Sequence, residues 1–359
     1  MLTYCALGAR MFILGFFELK FHITLYPHGH LFNIIILCVR NGTVHKCYYK
    51  NLLFYEALKR GVCLMERSFS IRNLKGIKSK SSRNYIGIVT AVDTEFSAIR
   101  EKLEDIKEIS IDNELGFKMN FCTGKIGESK VVLVKSTPGK IDAYSYTQTM
   151  IRKYEPLCII NVGSAGTNME SNLNLKDCVI SDKCLMFDVD LTSDGCEKGS
   201  FDKNETPFYE ASPFLINLTK DAMKSNNIKY DVGTVITGDK FINDPKIKKH
   251  TLNEFDALCD DMEGAAVGKC CNRYHIPFVL VKCISDKPKS KDNIGYYDHY
   301  IEAADICAIV LKTMINSIGR QNDTLAKEYL SMITKTFKKD SQSIESKLKH
   351  IKKNGGIEP

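Results

Sequence analysis

From residue 84 onward the apolar residues fall into short unbroken runs, separated by stretches in which they recur at helical spacing. Tyr85-Ile86-Gly87-Ile88-Val89 reads as a strand buried on both faces, and similar runs predict strands over 131–135, 157–162, 178–181, 233–237 and 278–284. Helical spacing predicts helices over 95–103, 141–154, 211–224, 263–274 and 300–318, with Pro156 closing the second. Continuous apolar strands alternating with amphipathic helices specify an α/β fold around a largely buried sheet. Ligands of such sheets bind outside the carboxyl ends of the strands, so the residues after each run are the candidates for chemistry.

The two ends of the chain have a different texture. Residues 1–64 hold apolar clusters at 11–17 and 31–39, interrupted by Pro27, Gly29 and Asn33. Residues 21–39 carry no formal charge and come near the roughly 20 residues that span a bilayer, but three histidines, a proline and an asparagine make a poor membrane helix. Residues 65–83 are basic and serine-containing with Glu66 as their only acid, which resembles a linker or a transit peptide, and Met65 is an alternative start. Beyond Gly319 follows a Lys-rich, helix-prone tail. Three segments are expected: a basic extension over 1–83, disordered or targeting; a catalytic domain over 84–318; and a tail over 319–359.

The net charge of +7 resides in those ends. Residues 1–83 carry 13 Lys/Arg against 3 Asp/Glu and residues 319–359 carry 9 against 5, which leaves 84–318 net acidic at 28 against 35. A net acidic core lacks the basic patch that nucleic-acid binding needs. The 14 cysteines include no Cys-x-x-Cys pair, and the adjacent Cys270 and Cys271 suit neither a metal cage nor a disulfide framework. They read as buried free thiols of a protein of the reducing cytoplasm. No His-Glu-x-x-His pattern occurs, and neither a metal nor another cofactor is expected.

After the first strand come Asp93 and Glu95; after 157–162 comes the small-residue turn Gly163-Ser164-Ala165-Gly166. After 233–237 come Gly238-Asp239 and Phe241-Ile242-Asn243, around Met262 stand Asp260, Asp261 and Glu263, and after 278–284 comes Ser285-Asp286. Each alone has a plainer explanation: Glu95 as a helix cap, the small-residue turn as punctuation, Phe241 as core, Ser285-Asp286 as a cap. The turn lacks the spacing of a serine-hydrolase elbow and the Lys-Ser/Thr of a phosphate loop. Together they put several carboxylates, a glycine turn and an aromatic on one rim of the sheet.

In order and spacing, the segments 86–95, 160–166, 237–243, 261–266 and 284–286 resemble the 5′-methylthioadenosine/S-adenosylhomocysteine nucleosidases, within the purine nucleoside phosphorylase-like superfamily. The resemblance covers about residues 84–318 and implies a three-layer α-β-α fold with a mixed central sheet. It implies hydrolysis of an N-glycosidic bond with water as nucleophile, a small nucleoside substrate and a homodimer. Asp286 matches the general acid that protonates N7 of adenine, helped by Ser285. Glu263 matches the residue that binds the ribose hydroxyls, with Met262 packed on the sugar. Glu95 matches the residue that orients and deprotonates water. Phe241 would stack on the base and the Ile242 backbone read its edge, while Ser164, Ala165, Gly166 and Pro138 would line the sugar side.

Three departures bear on substrate choice. Lys282 stands where arginine is usual, replacing a planar fork by a point charge. Cys196 and Lys198 stand where tyrosines are common in the loop after Asp188 and Asp190, and Pro138 replaces an aliphatic residue. Two other functions are open on the sequence. A phosphorylase on the same fold would need a cluster of arginines for its dianion, and the core has only Arg100, Arg152 and Arg273, all in predicted helices. A ligand-binding relative without turnover would not need all three of Glu95, Glu263 and Asp286.

Overall fold

The computed structural model describes residues 85–112, 118–288 and 296–319, together with the backbone of four strands between residues 10 and 50. The chain divides into two units, 1–80 and 81–359. In the first, β1 (Arg10–Ile13), β2 (Phe17–Ile23), β3 (Asn33–Arg40) and β4 (Thr43–Lys50) pair antiparallel in that order. The uncharged stretch 21–39 thus holds the end of β2 and most of β3. The basic stretch 65–83 and the tail beyond Gly319 lie outside the described residues. No helix among the described residues is long and apolar enough to cross a membrane.

The second unit starts with β5 (Tyr85–Thr90), buried from Ile86 to its end, and α1 (Asp93–Arg100). A meander follows: β6 (Glu104–Asp112), β7 (Lys118–Ile126) and β8 (Ser129–Lys135). Then come α2 (Lys140–Tyr154), β9 (Cys158–Gly166), β10 (Cys178–Met186), the short β11 (Tyr209–Glu210) and α3 (Pro213–Ser225). The chain continues through β12 (Tyr230–Thr237), α4 (Pro245–Glu254), β13 (Ala257–Asp261), α5 (Gly264–Tyr274), β14 (Phe278–Asp286) and α6 (Tyr296–Gly319). Strand order is β11-β10-β12-β13-β9-β5-β8-β7-β6, with β14 bridging β10 and β9. The bridge closes β9, β14, β10, β12 and β13 into a ring. β5 is parallel to β8 and β9, and β14 is parallel to β9 but antiparallel to β10, so the sheet is mixed. Helices α2 and α5 pack on each other in one layer, and α1 and α3 pack on α6 in the other.

The expected strands and helices all form, some longer than their apolar runs. The turn expected at Gly163-Ser164-Ala165-Gly166 is a correction: these residues are the end of β9, with Gly163, Ser164 and Ala165 in register with Lys282, Cys283 and Ile284 of β14. Five elements of the second unit had no counterpart in the sequence reading: β6, β7, the two-residue β11, β13 and α4. β6 carries Glu104, Asp105, Lys107 and Glu108, and β7 carries Lys118, Asn120 and Lys125, at exposed positions, which hides their alternation. β13 ends in two buried acids, and α4 turns a lysine inward, so neither shows an apolar signature. The cysteines between Cys122 and Cys307 are free and buried, except the half-buried Cys196.

Candidate active site

Three strands end at one point. β9 stops at Gly166, β13 at Asp261 and β14 at Asp286, and Gly166 is the register partner of both Asp260 and Asp286. The acidic ends of β13 and β14 are thereby forced together around Gly166, although they lie far apart in sequence.

Glu95 sits in the first turn of α1 and is 3% exposed. Its Oε2 accepts from the backbone N–H of Ala91 (3.0 Å) and Val92 (3.4 Å), so it does cap the helix. Its Oε1 accepts from the N–H (2.9 Å) and Oγ (3.0 Å) of Ser164. Gly163 makes this approach possible, since a Cβ there would lie 2.7 Å from Oε1. Ser164 and Gly166 are two residues apart on β9, on the same face and about 6.5 Å apart at strand rise. Glu95 reaches the first of them and Asp286 borders the second.

The Asp286 carboxylate has its oxygens held separately. Oδ1 accepts from Ser285 Oγ (3.2 Å), and Oδ2 faces Lys248 Nζ at 3.2 Å. Lys248, from α4, is 1% exposed and lies 3.0 Å from Asp260 Oδ1 as well. Burial opposes its charge, yet Asp260 and Asp286 outweigh burial and raise its pKa. Burial pushes Asp260 up to about 7, against the pull of Lys248.

Glu263 caps α5 and is 7% exposed, and its Oε1 accepts from the Gly139 N–H at 3.0 Å. Burial, then the charge of Asp261, pushes its pKa up to about 7, against the pull of Lys282. Lys282 is buried and its Nζ is 2.7 Å from Asp261 Oδ2. Burial disfavours the Lys282 ammonium, but Asp261 and Glu263 outweigh it and hold it charged. Asp261 also takes hydrogen bonds from the Thr237 hydroxyl and the Gly264 N–H, which fixes the start of α5.

The remaining candidates surround these groups. Phe241 is 51% exposed, with Lys248 Nζ 5.9 Å from its ring centre, and Ile242 beside it is buried. Met262 is half-buried and Pro138 is exposed, next to Gly139. The Ala165 methyl belongs to the core, and its carbonyl accepts from Ser285 Oγ at 3.5 Å. Sequence reasoning missed Lys248, and it took Asp260 and Asp261 as parts of a cluster without partners. One signal was available: Lys248 lies three and four residues before Thr251 and Leu252, on the one stripe of α4 that is buried.

Arg100, at the end of α1, pairs with Glu108 on the surface; Arg152 and Arg273 are exposed on α2 and α5. The buried cations beside the candidate site, Lys248 and Lys282, are each held by carboxylates.

The family model described as the phosphorylase superfamily matches residues 85–316, the whole α/β unit up to the last turn of α6. A 5′-methylthioadenosine/S-adenosylhomocysteine nucleosidase of Geobacillus sp. (strain WCH70) is 31% identical over 237 residues, covering 66% of this chain and 99% of the relative. That of Halalkalibacterium halodurans is 32% identical over 222 residues, covering 62% and 93%. The chain belongs to the nucleosidase family of this superfamily. A crystal structure of a putative nucleosidase of this kind from Borrelia burgdorferi B31, bound to adenine, superposes with a TM-score of 0.61 at 29% identity, covering 65% of this chain and 100% of the other. The match to the family model does not include β1–β4.

Proposed function

We propose that the protein hydrolyses the N-glycosidic bond of 5′-methylthioadenosine, S-adenosylhomocysteine or both, and releases adenine. The observation that carries this is the placement of Glu95 and Asp286 at Ser164 and Gly166, on one face of the end of β9. As the bond stretches, its electron pair moves onto the purine and the ribose becomes oxocarbenium-like. Asp286 gives its proton to N7, so adenine leaves neutral. Water adds to the anomeric carbon from the other side and loses a proton to Glu95. Three of the four donors on Glu95 are backbone N–H groups and hold the carboxylate still, while the Ser164 hydroxyl is free to turn toward water or ribose. Glu263 accepts from the ribose hydroxyls and faces the positive charge that grows on the sugar. Phe241, with half its surface open, offers a face for the base to stack on.

Phosphate is a poorer nucleophile here. Among the described residues no arginine pairs with these carboxylates, and the two buried ammoniums already have carboxylate partners. Adenine release from methylthioadenosine is therefore expected to proceed in phosphate-free buffer with free methylthioribose as co-product. Dependence on phosphate, with a sugar 1-phosphate as product, would overturn the hydrolytic reading. In the same reading the protein is a cytoplasmic homodimer that takes part in methionine salvage. The free thiols favour the reducing compartment, and light scattering on the purified chain tests the dimer.

A further inference from the structure

The ammonium of Lys248 touches Asp286 and has no part in the mechanism above. It is 1% exposed on a helix whose other lysines, Lys246 and Lys249, face solvent. Its Nζ lies between Asp260 Oδ1 at 3.0 Å and Asp286 Oδ2 at 3.2 Å. The space it fills belongs to Gly166, where a Cβ would come within 2.0 Å of Nζ, 2.7 Å of Asp286 Oδ2 and 3.2 Å of Asp260 Oδ1. A buried lysine is costly unless paired, and one carboxylate would neutralise it. Two carboxylates around one ammonium leave a surplus negative charge beside the group that must carry a proton.

We propose that Lys248 and Asp260 are positioning residues that together set the proton affinity of Asp286, the ammonium lowering it and the second carboxylate raising it. This rests on the assignment of Asp286 as the acid that protonates the purine. An acid clamped by an ammonium alone would be ionised at neutral pH and could not donate. Asp260, at 3.0 Å from the ammonium against 3.2 Å for Asp286, answers part of its charge. Among the described residues, the groups facing Asp286 are Lys248 from α4, Asp260 with Asp261 behind it from β13, and the Ser285 hydroxyl from β14, with Gly166 of β9 beside them.

The test is the pH profile of kcat for adenine release from methylthioadenosine, with KM measured alongside, in the full chain. Lys248→Met removes the cation, so Asp286 holds its proton to higher pH and the alkaline limb moves up by about one unit. Asp260→Asn removes an anion and leaves Lys248 to Asp286 alone, so the limb moves down by a similar amount. KM changes less than the position of the limb in both, because Phe241 and Ile242 keep their own side chains and Lys248 stands 5.9 Å from the Phe241 ring centre. A residue that merely supports the fold would lower activity without moving the two limbs in opposite directions. Shifts of the same sign, or none, overturn the proposal. If Lys248→Met does not fold, Asp260→Asn decides alone: an unchanged or upward limb overturns it. Wild-type protein that releases no adenine would sink the nucleosidase reading and the proposal together, whereas adenine release with unshifted limbs sinks only the proposal.

Discussion

Replacing Gly163 by alanine tests the role of Glu95 without touching Glu95. The added Cβ would lie 2.7 Å from Oε1, 3.0 Å from the carboxyl carbon and 3.1 Å from Oε2. Ordinary contact begins near 3.4 Å, so the carboxylate must retreat by about 0.7 Å. It cannot do so freely, because Oε2 is held by the Ala91 and Val92 N–H groups and Oε1 by the Ser164 N–H. A misplacement of this order at a reacting group costs on the order of 100-fold in rate, which is about 2.7 kcal/mol of barrier. The overpacking itself costs about 1–3 kcal/mol of stability, tolerable in a folded domain. Adenine release by Gly163→Ala should therefore show kcat down about 100-fold with KM little changed. The decisive arm is a cycle with Glu95→Gln: once that carboxylate is gone, adding Gly163→Ala should cost less than about threefold more. A folded Gly163→Ala protein with normal kcat, or a cycle in which the two losses multiply, would refute the claim that Glu95 aims the water.

Asp286→Asn keeps the Ser285 contact and the shape of the site but has no proton to give, so adenine release should fall by about 10²- to 10⁴-fold with an unchanged circular dichroism spectrum; near-normal turnover would displace Asp286 as the acid. Glu263 holds its proton to about pH 7 when folded, against an ordinary value of 4.5, so between those values the folded state binds more protons than the unfolded one. This group's contribution therefore favours folding below pH 4.5 and is lost as pH rises through about 7. Glu263→Gln should flatten the decline in Tm across that window while lowering kcat/KM, and an identical decline in both proteins would refute the burial argument. Lys282→Met strands Asp261 without its cation 2.7 Å away, and urea unfolding should show a loss of about 3–5 kcal/mol, partly restored by adding Asp261→Asn.

The fold was legible wherever burial makes a strand a run of apolar residues, as in 85–89 and 131–134. Where one face meets water or a charge turns inward, the pattern fails, and β6, β7, β13 and α4 show no apolar signature of their own. Glu95, Glu263 and Asp286 were legible because they directly follow strands or open helices, and their partners were not, because pairing across a sheet leaves no trace in local spacing. The four-residue run 163–166 shows the difference. Its glycines suggest a turn, but they continue a strand, and they are small because carboxylates and an ammonium occupy the places of their side chains.

The same partners explain the direction of the chemistry. Around the end of β9 stand the carboxyl groups of Glu95, Asp260, Asp261, Glu263 and Asp286, and the ammoniums of Lys248 and Lys282. Asp260 and Glu263, each raised to about 7, give up part of their charge near neutral pH, but the acids still outnumber the cations. A buried, net negative surround stabilises a sugar that becomes cationic and repels a phosphate dianion that would attack it. Water, being neutral, meets no such barrier and needs only to be aimed, a task that one fixed carboxylate can perform. The balance of charge, more than any single residue, is what makes this arrangement suited to hydrolysis rather than to phosphorolysis.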